Sequence, residues 1–248
     1  FEEHVDTKKN KSLEQEALAV RKKKKFLYQL SLKYLSELYQ LDKFQDRKKS
    51  SLLLPGFGIS WRKMDKQQGD IRNGFKFSMD ARMALNLLFS STNIVQTEFN
   101  TLWIKSFSDT FKLKVRQTTG ITYAPVVDKI PLSLRFFAGG DQSIRGYPYK
   151  SLGPSIVNAE GETIVTGGRY LIINSLEAER ALKGPVWLAA FFDNGNAFQR
   201  FADRFKNSAG LGLRFKTPVG PLKLDCAFPL EKKPKNKFRL HLNFGLEM

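Results

Sequence analysis

Apolar and polar residues alternate one by one along most of this 248-residue chain, and this period of two constrains the fold more than any other feature. Side chains that point to opposite faces of a β-strand produce this period, whereas a helix would need a spacing of 3.6 residues. The last segment shows it most clearly, with apolar residues at Phe238, Leu240, Leu242, Phe244 and Leu246. The alternation predicts ten strands, over residues 26–40, 51–62, 73–86, 93–106, 110–124, 167–182, 185–198, 208–217, 221–230 and 237–247.

The lengths of these strands indicate a membrane protein. They run for about ten residues or more, which is the length that crosses a bilayer at a tilt, whereas most strands have about five or six. Along the last six strands, short and long connections alternate strictly, as turns and loops do in transmembrane barrels. Aromatic residues recur near strand ends, where membrane interfaces lie. We therefore predict an all-β, antiparallel transmembrane β-barrel, with a soluble β-sandwich or barrel as the alternative.

Composition narrows the classes of function. The chain has 41 Lys and Arg against 24 Asp and Glu, a formal net charge of +17. The basic runs lie between apolar segments, and no aromatic-basic RNA-binding motif accompanies them, so nucleic-acid binding is not expected. One cysteine, Cys226, and two histidines leave little material for a metal site or a catalytic triad. We expect no metal, no cofactor and no enzyme activity.

One long motif lies between the fifth and sixth predicted strands. Residues 135–147 read RFFAGGDQSIRGY. This segment resembles the F-x-x-G-G-x-x-S-[IVL]-R-G-[FY] motif of the outer-membrane assembly-factor superfamily, whose members include BamA, TamA and the two-partner secretion transporters. The flanking residues 148–154 most resemble the TamA branch. The motif residues are Gly139, Gly140, Ser143, Ile144, Arg145, Gly146 and Tyr147.

The resemblance covers residues 51–248 approximately and carries an expectation for the fold. It implies a sixteen-stranded barrel in the bacterial outer membrane, preceded by periplasmic POTRA domains. With about ten predicted strands, residues 26–248 are expected to be the C-terminal part of such a barrel. Residues 1–25 are polar and rich in Lys, and within them the segment 12–20 fits either a short helix or a ragged strand.

The long loop 138–166 carries the candidate functional residues. Its Gly139–Gly140 pair permits backbone conformations that a side chain would block, so the loop can fold back into the barrel. A guanidinium in the lumen needs an anionic, planar partner. The resemblance supplies Glu177 and Asp193, on the next two strands, as lumen partners of Arg145, with Tyr147 packed beside it. The alternative is that Arg145 caps a turn and the two carboxylates are solvated.

The resemblance also implies a function. We expect a TamA-like factor that inserts or translocates client outer-membrane proteins through a weak seam at the last strand, whose edge groups template an incoming strand. A two-partner secretion transporter, or the C-terminal display barrel of a patatin-like lipase, is the alternative.

Client outer-membrane proteins and a TamB-like, periplasm-spanning protein are the protein partners expected from the resemblance. Lipopolysaccharide is expected as a third partner, because basic loops at 41–50, 199–207 and 231–236 would attract its phosphates. The last of these loops contains Lys232, Lys233 and Lys235. The alternative is that the charges only keep the loops solvated.

Overall fold

The computed structural model describes residues 2–5, 8–40, 47–67, 70–88, 90–126, 129–158, 161–200, 203–217, 220–231 and 237–245. Leu246 and the lysines at 232, 233 and 235 lie outside these ranges, so the predictions made for them are not tested by the structure. Within the described residues, no helix is long and apolar enough to cross a membrane.

Strands make up nearly all of the described regular structure. They are β1 (Glu2–Val5), β2 (Lys8–Lys23), β3 (Phe26–Gln40), β4 (Lys48–Gln67), β5 (Asp70–Ala84), β6 (Ile94–Ser106), β7 (Phe111–Tyr123), β8 (Ser155–Val157), β9 (Thr163–Val165), β10 (Tyr170–Lys183), β11 (Val186–Phe198), β12 (Lys206–Thr217), β13 (Gly220–Pro229) and β14 (Arg239–Phe244). Two short 3-10 turns lie at Asn86–Leu88 and Leu132–Leu134.

Twelve of these strands form one antiparallel sheet, in the order β1 to β7 followed by β10 to β14. Each strand pairs with its neighbour in sequence, except that β7 pairs with β10 across a long insertion. The sheet is not closed, because β1 and β14 each pair on one side only among the described residues. The expected all-β, antiparallel barrel wall is confirmed as an open sheet.

The sheet contains two strands more than the alternation predicted. The additional strands, β1 and β2, lie in the segment 1–25 that could not be assigned from the sequence. A run of small and apolar residues over 17–20 interrupts the alternation in β2, and charged residues surround it. Backbone pairing decides the conformation instead, because β2 is in register with β3 from Lys9–Gln40 to Lys23–Phe26.

One face of the sheet is apolar and uncovered. On β14, Leu240, Leu242 and Phe244 are 64%, 70% and 64% exposed, whereas the alternating His241 and Asn243 are partly buried. Phe238, just before this strand, is 54% exposed. Cys226 lies on the same outward face of β13, opposite Leu240. An outward apolar face with a polar inner face is the pattern of a transmembrane barrel wall.

The connections alternate in length along the sheet. Short turns join β2 to β3 and β10 to β11, and they contain residues 24–25 and 184–185. At the other end, longer links join β5 to β6, β7 to β10 and β13 to β14. Short turns are typical of the periplasmic end of a barrel and long loops of the outer end.

The longest loop covers residues 124–169 and is therefore longer than the predicted 138–166. It contains the β8–β9 hairpin, and isolated bridges join Phe136 to Gly168 and Ala138 to Leu152. Loop residues Ile130 and Leu134 pack in one apolar cluster with Leu35 and Leu54 of β3 and β4. The loop therefore lies against the inner face of the sheet rather than outside it.

Candidate functional site

The tip of the loop is folded tightly on itself. The backbone N–H of Gly140 donates to the carbonyl of Tyr147 at 3.0 Å, and the N–H of Gly139 donates to the Ser143 hydroxyl at 3.0 Å. Gly139 and Gly140 have φ angles of +100° and +105°. A Cβ on Gly139 would come within 2.3 Å of the Pro148 carbonyl oxygen. The two glycines are therefore needed to close the turn that presents Arg145.

The tip lies directly on the barrel wall. A Cβ on Gly146 would come within 2.6 Å of the Ser208 side chain on β12 and 2.8 Å of the Pro229 nitrogen on β13. Ile144 is fully buried, and it packs with Tyr147 in an apolar cluster that includes Leu171 and Ile173 of β10. This close approach leaves no room for a side chain at position 146.

Arg145 is bound most extensively by Asp193 on β11. Its Nε donates to Oδ2 at 2.9 Å and its Nη2 donates to Oδ1 at 2.8 Å, which is the two-point arrangement of a guanidinium with a carboxylate. The backbone N–H of Arg145 donates to the same Oδ2 at 3.1 Å. The Asp193 side chain is completely buried, so one carboxylate fixes both the head group and the backbone of this residue.

The guanidinium also contacts two side chains on β10. Nη1 donates to Oε2 of Glu177 at 2.8 Å, and Nη2 donates to the Ser175 hydroxyl at 3.1 Å. The Arg145 guanidinium lies 3.4 Å above the centre of the Phe191 ring. Although burial lowers the pKa of Arg145, the hydrogen bonds and charge of Asp193, followed by Glu177, hold it above its ordinary value. The structure thus brings Arg145, Glu177 and Asp193 together.

The site extends beyond the three residues expected from the sequence. Nη1 of Arg145 also lies 3.2 Å from Oδ2 of Asp225 on β13. Arg214 on β12 donates to the other oxygen of Asp225 at 2.6 Å, and its Nη2 lies 3.1 Å from Glu177. A second arm of the network runs through Lys114 on β7, which donates to Glu179 at 2.7 Å.

We call these seven groups the lumen network: Lys114, Arg145, Glu177, Glu179, Asp193, Arg214 and Asp225. It contains three cations and four carboxylates, and they come from the loop tip and from five adjacent strands. All of their side chains are at most 11% exposed. Charges buried to this degree are tolerated only when they are paired and hydrogen-bonded, so the groups hold one another in place.

Arg214 and Asp225 were not expected from the sequence, although the alternation of residues gave a signal for both. Arg214 and Asp225 occupy the inward positions of their strands, but only the register of the sheet places them beside Arg145. Gly212 lies opposite Asp225 in that register. A Cβ on Gly212 would come within 2.0 Å of the Asp225 carboxylate and 2.6 Å of the Arg214 guanidinium. This glycine therefore leaves space for the ion pair.

The last strand also contacts the loop tip through one side chain. The Nε2–H of His241 on β14 donates to the backbone carbonyl of Arg145 at 2.7 Å. His241 lies opposite Asp225 in the register of β13 and β14. The alternation of the last strand places His241 on the polar lumen face, but its contact with Arg145 depends on the fold of the loop.

A second buried carboxylate holds the first part of the loop. Glu37 on β3, 1% exposed, accepts from the backbone N–H of Leu132 at 2.9 Å and from that of Ser133 at 3.3 Å. The Ser133 hydroxyl donates to it as well. Nothing in the sequence alone associated Glu37 with the loop, because 96 positions separate it from Ser133.

Below the tip, at its short-turn side, lies a polar cavity of about 260 Å³. Arg116, Gln142, Lys223 and Asn243 line it together with members of the lumen network. Within the described part of the chain, no group of three or more His, Cys, Asp or Glu is arranged to hold a metal ion. The carboxylates of the network instead accept from guanidinium and ammonium groups. The arrangement positions the loop tip on the wall.

Sequence relatives include outer-membrane assembly factors. The chain is 27% identical over 201 residues to the outer membrane protein assembly factor BamA of Neisseria meningitidis serogroup B, and the match covers 67% of this chain and 25% of that protein. It is 34% identical over 110 residues to BamA of Nitratidesulfovibrio vulgaris, with 42% and 14% covered. A match at 29% identity to the chloroplastic outer envelope protein 80 of Arabidopsis thaliana covers 49% of the chain and 16% of that protein. The chain thus spans about a quarter or less of the length of these curated relatives.

Solved barrels share the fold. BamA from Haemophilus ducreyi lacking POTRA domains 1–3 superposes with a TM-score of 0.78 at 18% identity, and the match covers 96% of this chain and 55% of that one. CdiB from Acinetobacter baumannii gives a TM-score of 0.59 at 15% identity, with 96% and 42% covered.

A family model matches almost the whole chain. The model describes the Omp85 superfamily domain and covers residues 5–248. Together with the barrel-type wall and the bacterial assembly factors among its relatives, this match places the chain in the bacterial outer membrane. The chain belongs to the Omp85 superfamily.

Proposed function

We propose that this chain forms the barrel wall and lumen loop of a factor that inserts or translocates outer-membrane proteins, and that it does so without enzymatic chemistry. The BamA relatives support the assembly role by their sequence similarity. The observation that carries the proposal is the attachment of the loop tip: Arg145 contacts β10, β11 and β13 through Glu177, Asp193 and Asp225. The lumen network keeps five adjacent strands in one arrangement while the edge beside them stays available.

The edge strand β14 supplies the proposed point of action. It pairs with β13 over six residue pairs, from Leu222–Phe244 to Ala227–Arg239. Along its other side, no described strand pairs with it. Unpaired N–H and C=O groups on a strand edge can template an incoming strand by β-augmentation. The His241 bond to Arg145 would keep β14 aligned with the loop tip during that exchange.

We further propose which kind of Omp85 protein this chain belongs to. The residues 148–154 after the motif favour a TamA-like factor with a TamB-like partner, and client outer-membrane proteins are the proposed substrates. A secretion transporter is the second candidate, because CdiB shares the fold over 96% of the chain. Since the matched sequence relatives include assembly factors, we favour assembly over secretion.

The test uses the full-length protein that contains this chain, reconstituted in liposomes with an unfolded outer-membrane protein as client. Arg145→Ala should lower the initial rate of client insertion about tenfold or more, because it leaves three carboxylates without their shared cation. Arg145→Lys should restore little, since an ammonium cannot form the planar two-point contact with Asp193. Arg200→Ala, an exposed arginine after β11, is the control.

Two outcomes would contradict the proposal. Client insertion by Arg145→Ala at the wild-type rate would show that the loop attachment does not support assembly. Release of a soluble client into the liposome interior, without insertion of any barrel client, would favour the secretion transporter.

A further inference from the structure

The outward face of the sheet carries an uneven distribution of positive charge at its short-turn end. Among the described side chains of the strands, six cations lie there: Arg21 and Lys23 on β2, Lys63 on β4, Lys105 on β6, and Arg180 and Lys183 on β10. We call these six residues the basic belt. Each has an exposed side chain. None of them belongs to the loop, to the lumen network or to the edge strand β14.

The register of the sheet shows that the belt faces outward. Lys23 pairs directly with Phe26 and Lys63 with Phe75. Phe26 is 39% exposed on the outer face, and Phe75 packs 5.4 Å from Trp61. Residues that pair directly across two strands point to the same side of the sheet. The two lysines therefore lie on the side that carries the aromatic residues, not in the lumen.

The same relation holds at the other end of the belt. Arg180 pairs with Phe111, which is 38% exposed, and Lys105 lies two positions after Trp103, which is 37% exposed. Aromatic rings collect at the boundary between hydrocarbon and head groups, and long basic side chains beside them extend to the head groups. The belt thus lies at the depth of the lipid phosphates, on the side of the short turns.

Acidic residues do not cancel this charge. On the outward face of the same end, the described strands place Asp65 near the β4–β5 turn, and Asp70 begins β5 after that turn. Lys105 and Arg180 lie away from this turn, on β6 and β10, and the exposed Asp109 in the β6–β7 turn is paired with Arg72. A surplus of positive charge therefore remains along the outward end of β2 to β10.

The outward wall of β11 to β14 is different. At the same end it presents Leu188, Leu213, Phe215, Leu222 and Phe244, all between 39% and 64% exposed. Among the described residues of these four strands, no Lys or Arg points outward; Arg214 and Lys223 face the lumen cavity. The positive charge thus stops where the wall approaches the edge strand.

We propose that the basic belt binds the phosphate groups of anionic phospholipids in the periplasmic leaflet and concentrates them along β2 to β10, away from β14. A cation close to an anionic membrane surface increases binding about fivefold, and salt weakens the effect. The described wall beside β14 then presents no outward cation to the lipid. This leaves the edge strand bordered by lipids that no charge holds in place.

The experiment compares two fluorescent reporters on the outward face towards the short turns, in the full-length protein with Cys226→Ala. A dye is attached at Leu113→Cys, which lies outward on β7 opposite Lys105, or at Leu213→Cys, which lies outward on β12. Bilayers contain brominated phosphatidylglycerol or brominated phosphatidylcholine as the quencher. Quenching depends on distance, so each reporter samples the lipids around its own part of one leaflet.

We expect phosphatidylglycerol to be enriched about tenfold over phosphatidylcholine at position 113 and to show no enrichment at position 213. Combined Lys63→Gln, Lys105→Gln and Arg180→Gln substitutions should abolish the enrichment, and Lys63→Arg, Lys105→Arg with Arg180→Lys should keep it. High salt should weaken it. Equal enrichment at both positions, or enrichment that survives the glutamine substitutions, would overturn the proposal. Because the measurement reports lipid contact, its outcome does not depend on whether the protein assembles clients.

Discussion

Glu37 on β3 and Arg145 at the loop tip attach the two ends of residues 132–145 to the sheet. Glu37 does so through a carboxylate of the wall, and Arg145 through a guanidinium of the loop. Glu37 accepts from backbone N–H groups at Leu132 and Ser133, whereas Arg145 donates to carboxylates of the wall. In the sheet, β3 is separated from β11, which carries Asp193, by β4, β5, β6, β7 and β10. The loop therefore connects distant parts of the wall. Substitutions can remove its two attachments one at a time.

The first prediction concerns the pair of Arg145 and Asp193. Either single alanine substitution should lower the free energy of unfolding by about 3–5 kcal/mol, because it leaves a buried partner uncompensated. Since the second substitution removes that partner, the double variant should be no worse than either single one. Unfolding in urea measures the three values. Additive losses would show that the residues do not act as a pair. The partly exposed pair of Lys33 and Glu14, at 2.8 Å, is the control and should couple by less than about 1 kcal/mol.

The second prediction concerns Glu37. Glu37→Gln should weaken the bonds to the 132–133 backbone by about 1.5–3 kcal/mol, because the charged acceptor is lost. Hydrogen exchange should then accelerate at Leu132 and Ser133, while the amide of Arg145 keeps its protection from Asp193. Glu14→Gln, on the neighbouring strand, controls for removal of one carboxylate. Equal acceleration along the entire loop would indicate a single cooperative unit instead of two anchors.

The third prediction concerns Gly212. Gly212→Ala should destabilise the barrel by about 1–3 kcal/mol, because the new methyl group would overlap the Asp225 carboxylate and the Arg214 guanidinium. Adding Asp225→Ala removes one of the overlapping groups, so the double variant should lose less than the sum of the two single losses. Thermal unfolding monitored by the heat-dependent shift in gel mobility compares the variants. If the two losses of stability add, the loss in Gly212→Ala does not come from overlap with Asp225.

The fourth prediction concerns the two faces of β14. Cysteines at positions 240, 242 and 244 should react with reagents dissolved in the lipid phase, because these side chains are exposed on the apolar face. Cysteines at 239, 241 and 243 should react with water-soluble reagents from the lumen. Mass spectrometry of the labelled full-length protein gives the pattern. Uniform labelling by the aqueous reagent at all six positions would be incompatible with a membrane wall.

The fifth prediction concerns alkaline pH. Burial, followed by the charge of Glu231, raises the pKa of Tyr147 above its ordinary value of 10.0. A group with a raised pKa in the folded state adds stability that is complete below its unfolded pKa and is lost as pH rises through the folded one. Stability should therefore fall above about pH 10 more steeply in the wild type than in Tyr147→Phe. Unfolding free energies between pH 9 and 12 test this, with Tyr149→Phe as the exposed control. Identical slopes would contradict the assignment.

The alternation of residues was sufficient to predict most of the wall. A strand that separates lipid from a wet lumen must alternate between apolar and polar residues. This pattern alone was therefore sufficient to predict β14, β13 and β5. β2 was not, because its outward and inward residues are both largely polar and only its pairing with β3 fixes it as a strand. The loop length was also underestimated, since the turn at Leu132–Leu134 is held by the distant Glu37.

For the site, the sequence by itself determined which side chains point inward and, through the motif, which loop residue is central. The family resemblance added Glu177 and Asp193 as the expected partners of Arg145. Only the tertiary structure decided that Arg214, Asp225 and His241 join them, because inward parity says nothing about the height of a residue in the barrel. That height depends on the register of each strand pair and on how far the loop descends, and both are set by contacts between residues far apart in the chain.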